Sequence, residues 1–475
     1  MNFSEFILAH SSEDPAALAL SRARYVGEVS DFDLALTTLE VRRKLRDKVP
    51  EWYAVPSLVF PFRVSGEQCS STATARYKAS VALSLTPSKA HFRPSAPQNV
   101  LYPHSVTQQP AFLAKNEGCH VSADAAACTF AQKRWLPGIP SAIADLTGGL
   151  GVDSWAFAQE FDEVLYNEMR PELAQAAAHN FRELGVNNVM VRNYALAPAS
   201  TLIPGSDPGS PEASVSQILG SFRPDVLFLD PARRAADGRK VFRLEDCQPD
   251  VLQLLPELLA VCPRILLKLS PMADITLVCK QLGCVKAVHV VAADGECKEL
   301  LLVLERDWTG PHTLTIVEDG AVLEIPGQAG DTLGPGGPRY DITDLCHTER
   351  SERISCHLFE PGKAMLKAGA FDLPCQFGLT KLGQHTHLYV GEEVPEALRP
   401  FGKTFRILEA LPLDKRSMKS FGQKYPQADV TARNIPLTSD QLRAKLGVRS
   451  GGDVHIFGLH SDALHSNILL VAHRA

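Results

Sequence analysis

The chain has 475 residues, of which 45% are hydrophobic and 21% charged, and a formal net charge of −6. That leaves room for about two to four domains with full apolar cores. The acidic balance excludes a polyanion binder that works by overall charge, and no apolar run reaches the roughly 18 residues of a membrane span.

Residues 1–135 read as a mainly helical amino-terminal domain. Asp14-Pro15 ahead of AALALSRARY is a helix start with proline in its first turn. LALTTLEVRRKLRDKV carries apolar residues at helical spacing with basic ones opposite, and SSTATARYKASVAL reads as a further short helix. The Pro- and Ser-rich stretch 84–110 reads as a loop or extended crossing. The start, MNFSEFILAHSSED, shows no basic region followed by an apolar run, so a cytoplasmic chain is expected. The 11 cysteines are scattered without a C-x-x-C pair. That argues for buried thiols rather than a zinc cluster or a disulfide framework, and no metal is expected.

Residues 136–327 alternate strand and helix. SAIAD, ending in Asp145, is an apolar strand, and a glycine turn follows with Thr147, Gly149 and Gly151 before a helix near Val152 and Asp153. Glycine permits positive φ and close backbone approach, so a ligand can lie where strand passes to helix. VLYNE closes a second strand with Glu168, placed to bind ribose hydroxyls. NVMVRNYA is a third strand with Asn193 at its end, DVLFLDPARR a fourth stopped by Asp230-Pro231, and RILLKLSP a fifth carrying Lys268 and Ser270. Helices are expected over 171–184 and 249–262, and a surface loop over 197–217. The pattern predicts an α/β, Rossmann-like parallel sheet with ligands at the carboxyl ends of its strands. AVHVVAADGECKELLLVLER resembles the closing antiparallel hairpin of class I methyltransferases. The rival dehydrogenase pattern, counted from Gly149, needs a third glycine where Ser154 stands.

A Gly/Pro linker, 328–341, leads to two small α+β units, 342–400 and 401–475. The first fifty residues of the last unit hold ten Lys or Arg against four acids. Such a patch attracts phosphates in a salt-sensitive way, or is simply a solvated face.

Six segments together resemble the THUMP-like methyltransferase family of Bacteroidetes: CSSTATARYKAS, ADLTGGLGVDS, LDPARR, LKLSPMADI, FEPGKAMLKAGAF and ADVTARNIPLTSDQLRAKLGVRSGGDVHIFG. The resemblance implies a class I methyltransferase core over 136–327, a ferredoxin-like piece over 342–400 and a THUMP-like tail over 401–475. It implies S-adenosyl-L-methionine as cofactor and RNA as partner. Asp145, Thr147, Gly149, Gly151, Asp153, Glu168 and Asn193 would hold the cofactor, with Asn193 by the adenine edge. Asp230 and Pro231 would position the acceptor, and Arg233, Lys268 and Ser270 would contact substrate.

In amino methyltransferases a D/N-P-P-Y/F/W tetrapeptide presents acceptors to an exocyclic amine and stacks an aromatic ring on the flipped base. Here the second proline is Ala232 and the aromatic is Arg233, which puts an amino target in doubt while leaving Asp230 in place. Cys247 and Cys297 lack the motifs of carbon-5 pyrimidine methyltransferases. The expected function is methylation of RNA. The alternatives are a small-molecule or protein methyltransferase, and an RNA-binding protein with a vestigial core.

Overall fold

The protein is described from a computed structural model over residues 2–25, 27–87, 140–202, 212–233, 243–325, 356–419, 421–462 and 465–475. The expected boundary at 135/136, most of the 84–110 crossing and the 328–341 linker lie outside the described residues.

The amino-terminal elements are helices: α1 (Phe3–Ala9), α2 (Pro15–Leu20), α3 (Arg22–Tyr25), α4 (Phe32–Lys48), α5 (Pro50–Tyr53), α6 (Arg63–Gln68) and α7 (Thr72–Ser84). Asp14 caps α2 with Pro15 in its first turn, and Ser71 with Thr74 forms a capping box on α7. The alternating region begins with β1 (Ala142–Asp145), α8 (Val152–Glu160), β2 (Glu163–Asn167), α9 (Pro171–Glu183) and β3 (Val189–Arg192). Next come β4 (Ala195–Leu196), β5 (Glu212–Ala213), α10 (Val215–Leu219), β6 (Val226–Leu229), β7 (Ala232–Arg233) and β8 (Cys247–Gln248). The region closes with α11 (Val251–Val261), β9 (Arg264–Leu269), α12 (Ile275–Leu282), β10 (Val285–Ala293), β11 (Glu296–Glu305), β12 (Thr313–Glu318) and β13 (Ala321–Ile325).

Nine of these strands form one sheet in the order β13-β12-β10-β11-β9-β6-β1-β2-β3. From β3 to β9 all pairs are parallel, and β10 and β11 form the expected antiparallel hairpin, with the later strand inserted next to β9. The hairpin β12–β13 extends the edge, which the sequence reading did not anticipate. Strand residues alternate between two cores, as a pleated strand dictates. Ala144, Leu227, Leu229 and Leu267 pack with α11 and α12, while Ile143, Val164, Phe228 and Leu266 pack with α8 and α9. The second core also holds Val41, Leu45, Trp52, Ala75 and Ala79, so α4, α5 and α7 share the core of the sheet.

The stretch 197–217 is not wholly a loop. Glu212–Ala213 pairs in parallel with Ala195–Leu196, and Ser214 starts α10 with a capping box to Gln217. Its Ser and Pro content hid a cap signal followed by an apolar turn.

A second sheet has seven strands: β14 (His357–Pro361), β15 (Thr380–Lys381), β16 (Tyr389–Gly391), β17 (Gly402–Pro412), β18 (Asp429–Arg433), β19 (Val454–Ser461) and β20 (Ser466–Arg474). Their order is β15-β16-β14-β17-β20-β19-β18. Since β14 pairs with β17, the two small carboxyl-terminal units share one sheet. Phe359, Met365 and Phe401 join the same core as Leu302 and Ile316 of the first sheet. Glu318 at the end of β12 accepts the backbone amides of Lys363 and Ala364, at 3.1 and 2.9 Å, and ties the helix 363–367 to the first sheet.

Candidate active site

The carboxyl ends of β1, β2, β6 and β9 open into one cavity of about 1050 Å³. Its wall includes Asp145, Thr147, Gly149, Gly151, Asp153, Glu168, Asp230, Pro231, Lys268 and Ser270, which the sequence scatters over more than a hundred positions.

The glycine turn is shaped by three close approaches. Gly148 lets the Tyr166 ring pass, since a Cβ there would lie 2.1 Å from Tyr166 Cε2. Gly151 caps α8 at φ +93°, and a Cβ on it would meet Phe181 at 2.9 Å. Gly149, at φ +54°, has only the Thr147 carbonyl 3.9 Å from a Cβ position, so its missing side chain leaves open space at the cavity. The turn is held from β2: the Tyr166 hydroxyl donates to the Gly149 carbonyl at 2.6 Å, and the Gly149 amide donates to Glu168 Oε2 at 2.9 Å. Glu168 Oε1 accepts from the Arg170 amide at 3.0 Å. A carboxylate offers about four acceptor directions, so Glu168 keeps capacity for a ligand's hydroxyls.

Asp145 is 1% exposed. Its oxygens accept the Thr147 amide at 3.1 Å and the Ser154 hydroxyl at 2.6 Å. Burial pushes its carboxyl up to about 8, and the nearby Asp153 and Asp230 carboxylates add to this, while the Ser154 and Thr147 bonds oppose it. Ser154, which stands where a dehydrogenase would have glycine, thus has a positive role as Asp145's donor.

Asn193 departs from expectation. It does not line the cavity; its side-chain amide donates to the Glu168 carbonyl at 2.6 Å. The next residue, Tyr194, faces the cavity in its place. Asn167, unremarked in the sequence, accepts the Tyr194 amide at 3.1 Å and donates to the carbonyls of Leu146 and Tyr194. It stitches together the ends of β1, β2 and β3.

The expected acceptor site also gains a partner. Thr147 Oγ1 accepts the Asp230 amide at 2.6 Å, which joins the glycine turn to the end of β6. The Lys268 ammonium pairs with Asp230 Oδ2, so the lysine's first partner is this carboxylate rather than a substrate. Burial works against the charge on Lys268, but the carboxylates of Asp230, Glu299 and Asp153 outweigh it and hold the ammonium well above its usual range. Ser270 lines the cavity and accepts the Met272 amide at 3.3 Å. Beyond Pro231, Ala232 and Arg233 pair antiparallel with Gln248 and Cys247.

Four further wall residues come from the amino-terminal region: Ser65 and Gln68 on α6, and Cys69 and Ser70 between α6 and α7. No cofactor-type spacing marks them in the sequence. Among the described residues no group of three or more His, Cys, Asp or Glu is placed to hold a metal ion, and no helix is long and apolar enough to cross a membrane.

Comparison with known proteins agrees with this architecture. Family models match a ferredoxin-like domain over residues 357–398 and a THUMP domain-like region over residues 402–474. Along its whole length the chain is similar to a candidate methyltransferase of Porphyromonas gingivalis W83, at 26% identity and a TM-score of 0.66, with 100% of this chain and 97% of that chain covered. The 16S rRNA N2-guanosine methyltransferase RsmC of T. thermophilus overlaps 34% of this chain and 37% of its own, at 13% identity and a TM-score of 0.24. An rRNA methylase of Streptococcus thermophilus overlaps 35% of this chain and 86% of its own, at 14% identity and a TM-score of 0.23. A search of curated protein sequences finds no match. The resemblance read from the sequence agrees with these findings: the chain is similar along its whole length to a protein of methyltransferase fold and carries, at its carboxyl end, regions that match ferredoxin-like and THUMP-like domain models.

Proposed function

We propose that the protein transfers a methyl group from S-adenosyl-L-methionine to RNA. The observation that carries this reading is one cavity with two halves: the open glycine turn with Glu168, and the Asp230–Lys268 pair at the ends of the next two strands, β6 and β9. The first half suits a nucleoside with a charged tail. Gly149 offers a wall without a side chain, Glu168 offers acceptors for ribose hydroxyls, and Tyr194 offers a ring.

The cofactor supplies a methyl already activated on a sulfonium. What remains for the chain is to bind, align and exclude water. Asp230 would accept a hydrogen bond from the acceptor's N–H or O–H, orient its lone pair, and take the proton the acceptor gives up as the methyl leaves sulfur. Lys268 pairs with that carboxylate and aims it, and as a firmly held ammonium it is not the proton acceptor. Leu146, Leu150, Leu173 and Leu269 supply apolar lining.

RNA as the substrate rests on the THUMP-like tail and its surface. Of the basic run, Lys424, Arg433 and Arg443 are paired with Glu409, Glu360 and Asp440. Lys403, Arg406, Lys415, Lys419, Lys445 and Arg449 are exposed. The deciding experiment is mass spectrometry of modified nucleosides from parent and deletion strains, with calorimetry of the cofactor on purified protein. A missing methylated nucleoside in the deletion strain supports the reading, and identical nucleosides with no cofactor binding sink it.

A further inference from the structure

One part of the cavity wall is built from outside the alternating core. Ser65, Gln68, Cys69 and Ser70 line the cavity at the end of α6 and just before α7. Behind them lies Lys78 of α7, whose side chain has no exposed surface. Its ammonium donates to Ser70 Oγ at 2.9 Å and to Glu299 Oε1 and Oε2, both at 2.9 Å. It also lies 3.2 Å from Asp153 Oδ1. The Ser70 hydroxyl, having accepted from Lys78, donates to Asp153 Oδ2 at 2.9 Å.

The hydrogen bonds therefore run in one direction, from Lys78 through Ser70 to Asp153. An ammonium has three protons, and here Ser70 and Glu299 take them, so Asp153 Oδ1 is steadied by charge alone. Asp153 stands in the first turn of α8, two residues past Gly151, and lines the cavity. A carboxylate there would otherwise swing with the solvent; instead both oxygens are fixed from behind. Burying an ammonium is expensive, and apolar residues of similar volume at the Lys78 and Glu299 positions would hold the fold as well or better. The charge is thus better explained by what it does to Asp153 than by stability.

We infer that Lys78 is a positioning residue of the proposed cofactor pocket, fixing the Asp153 carboxylate through Ser70, and that the amino-terminal helices thereby complete the site. The inference rests on the proposed cofactor reading.

The test is calorimetry of S-adenosylmethionine on the full chain, with unfolding temperature measured alongside. Parent protein that fails to bind removes the cofactor reading and the inference with it; the remaining comparisons apply when the parent binds. Lys78→Met alone strands Glu299 in the interior, so the informative variant is Lys78→Met/Glu299→Met, which removes the pair together. It should unfold near the parent temperature and bind at least about tenfold more weakly, as expected from losing the group that orients a charged contact. Ser70→Ala should weaken binding about three- to tenfold without a change in unfolding temperature, and Ser70→Thr, which keeps the hydroxyl, should restore it. Arg76→Ala, an exposed neighbour on the same helix paired with Glu51, should bind as the parent does. Parent-like affinity in Ser70→Ala, or in a folded double variant, would make Lys78 a structural lysine only and overturn the inference.

Discussion

The Glu168 carboxylate accepts the Gly149 amide across 2.9 Å, so the end of β2 holds the turn that follows β1. The acid expected to meet a ribose and the glycine expected to make room for it are one hydrogen-bonded unit. The spacing between them in the sequence is the spacing of one helix and one strand, and the fold closes it.

The glycines of that turn should separate by effect. Gly149→Val places a β-branched residue at φ +54° on the cavity wall, so cofactor affinity should fall sharply while the protein stays folded, at a cost of about 1–2 kcal/mol. Gly148→Ala drives a methyl into the Tyr166 ring and should destabilise the fold by roughly 1–3 kcal/mol. Calorimetry and thermal unfolding on both variants decide it; parent-like binding by Gly149→Val would put the ligand elsewhere.

Asp145 gives a pH signature. Its folded-state value, about 8, lies above the ordinary 3.8, so the protonated acid favours the folded protein. The contribution is fully present below about pH 4 and is lost as pH rises toward 8. Asp145→Asn, neutral throughout, should match the parent in acid and become the more stable of the two as pH rises, by up to about 1.4 kcal/mol per pH unit. Unfolding temperatures measured from pH 5 to 8 check this, and a constant difference across that range would refute it.

Asp230→Ala should leave cofactor affinity within a few-fold, since the residue lies beyond the glycine turn. Turnover on the true RNA should fall at least about tenfold, because one hydrogen bond to a charged group is worth about 1.5–3 kcal/mol and each 1.36 kcal/mol is a factor of ten in rate. Full turnover by this variant would remove Asp230 from the chemistry and leave a strand end.

Removing the tail at 401 is a poor test of RNA binding, because it strips β17 from β14 and cuts through a sheet. Charge reversal is cleaner. Lys415→Glu/Lys419→Glu/Lys445→Glu changes three exposed positions and should weaken RNA binding and flatten its salt dependence, by about 0.9 in slope for each lost phosphate contact in a duplex. Cofactor affinity should not change. An unaltered salt slope would move the RNA surface off this face.

The parts of the site legible in the sequence were those written as strand ends. An apolar run stopped by Asp145, Glu168 or Asp230 announces both the strand and the residue at its mouth, because a parallel strand is buried on both faces and can turn polar only where it leaves the sheet. Asn193 misled for a related reason. A strand end offers two neighbouring residues to opposite sides, and only Tyr194 faces the cavity. Lys268 was visible as a polar residue in an apolar strand, but its pairing with Asp230 needed the parallel register of β6 and β9. Lys78 and Ser70 were illegible as site residues. Ser70 lines the cavity from just before α7 and Lys78 stands behind it on that helix, whose place against the sheet is set by packing.

The shared core also orders events in time. The apolar faces of α4, α5 and α7, with Val41, Leu45, Trp52 and Ala75, find their partners in elements that extend to Val303. A ribosome adds roughly 5–20 residues per second, so the helices wait on the order of ten to forty seconds for the strands that cover them. Throughout that interval the nascent chain presents an uncovered helical surface, and it is during synthesis, more than in the finished protein, that this segment is most exposed to aggregation and to chaperones.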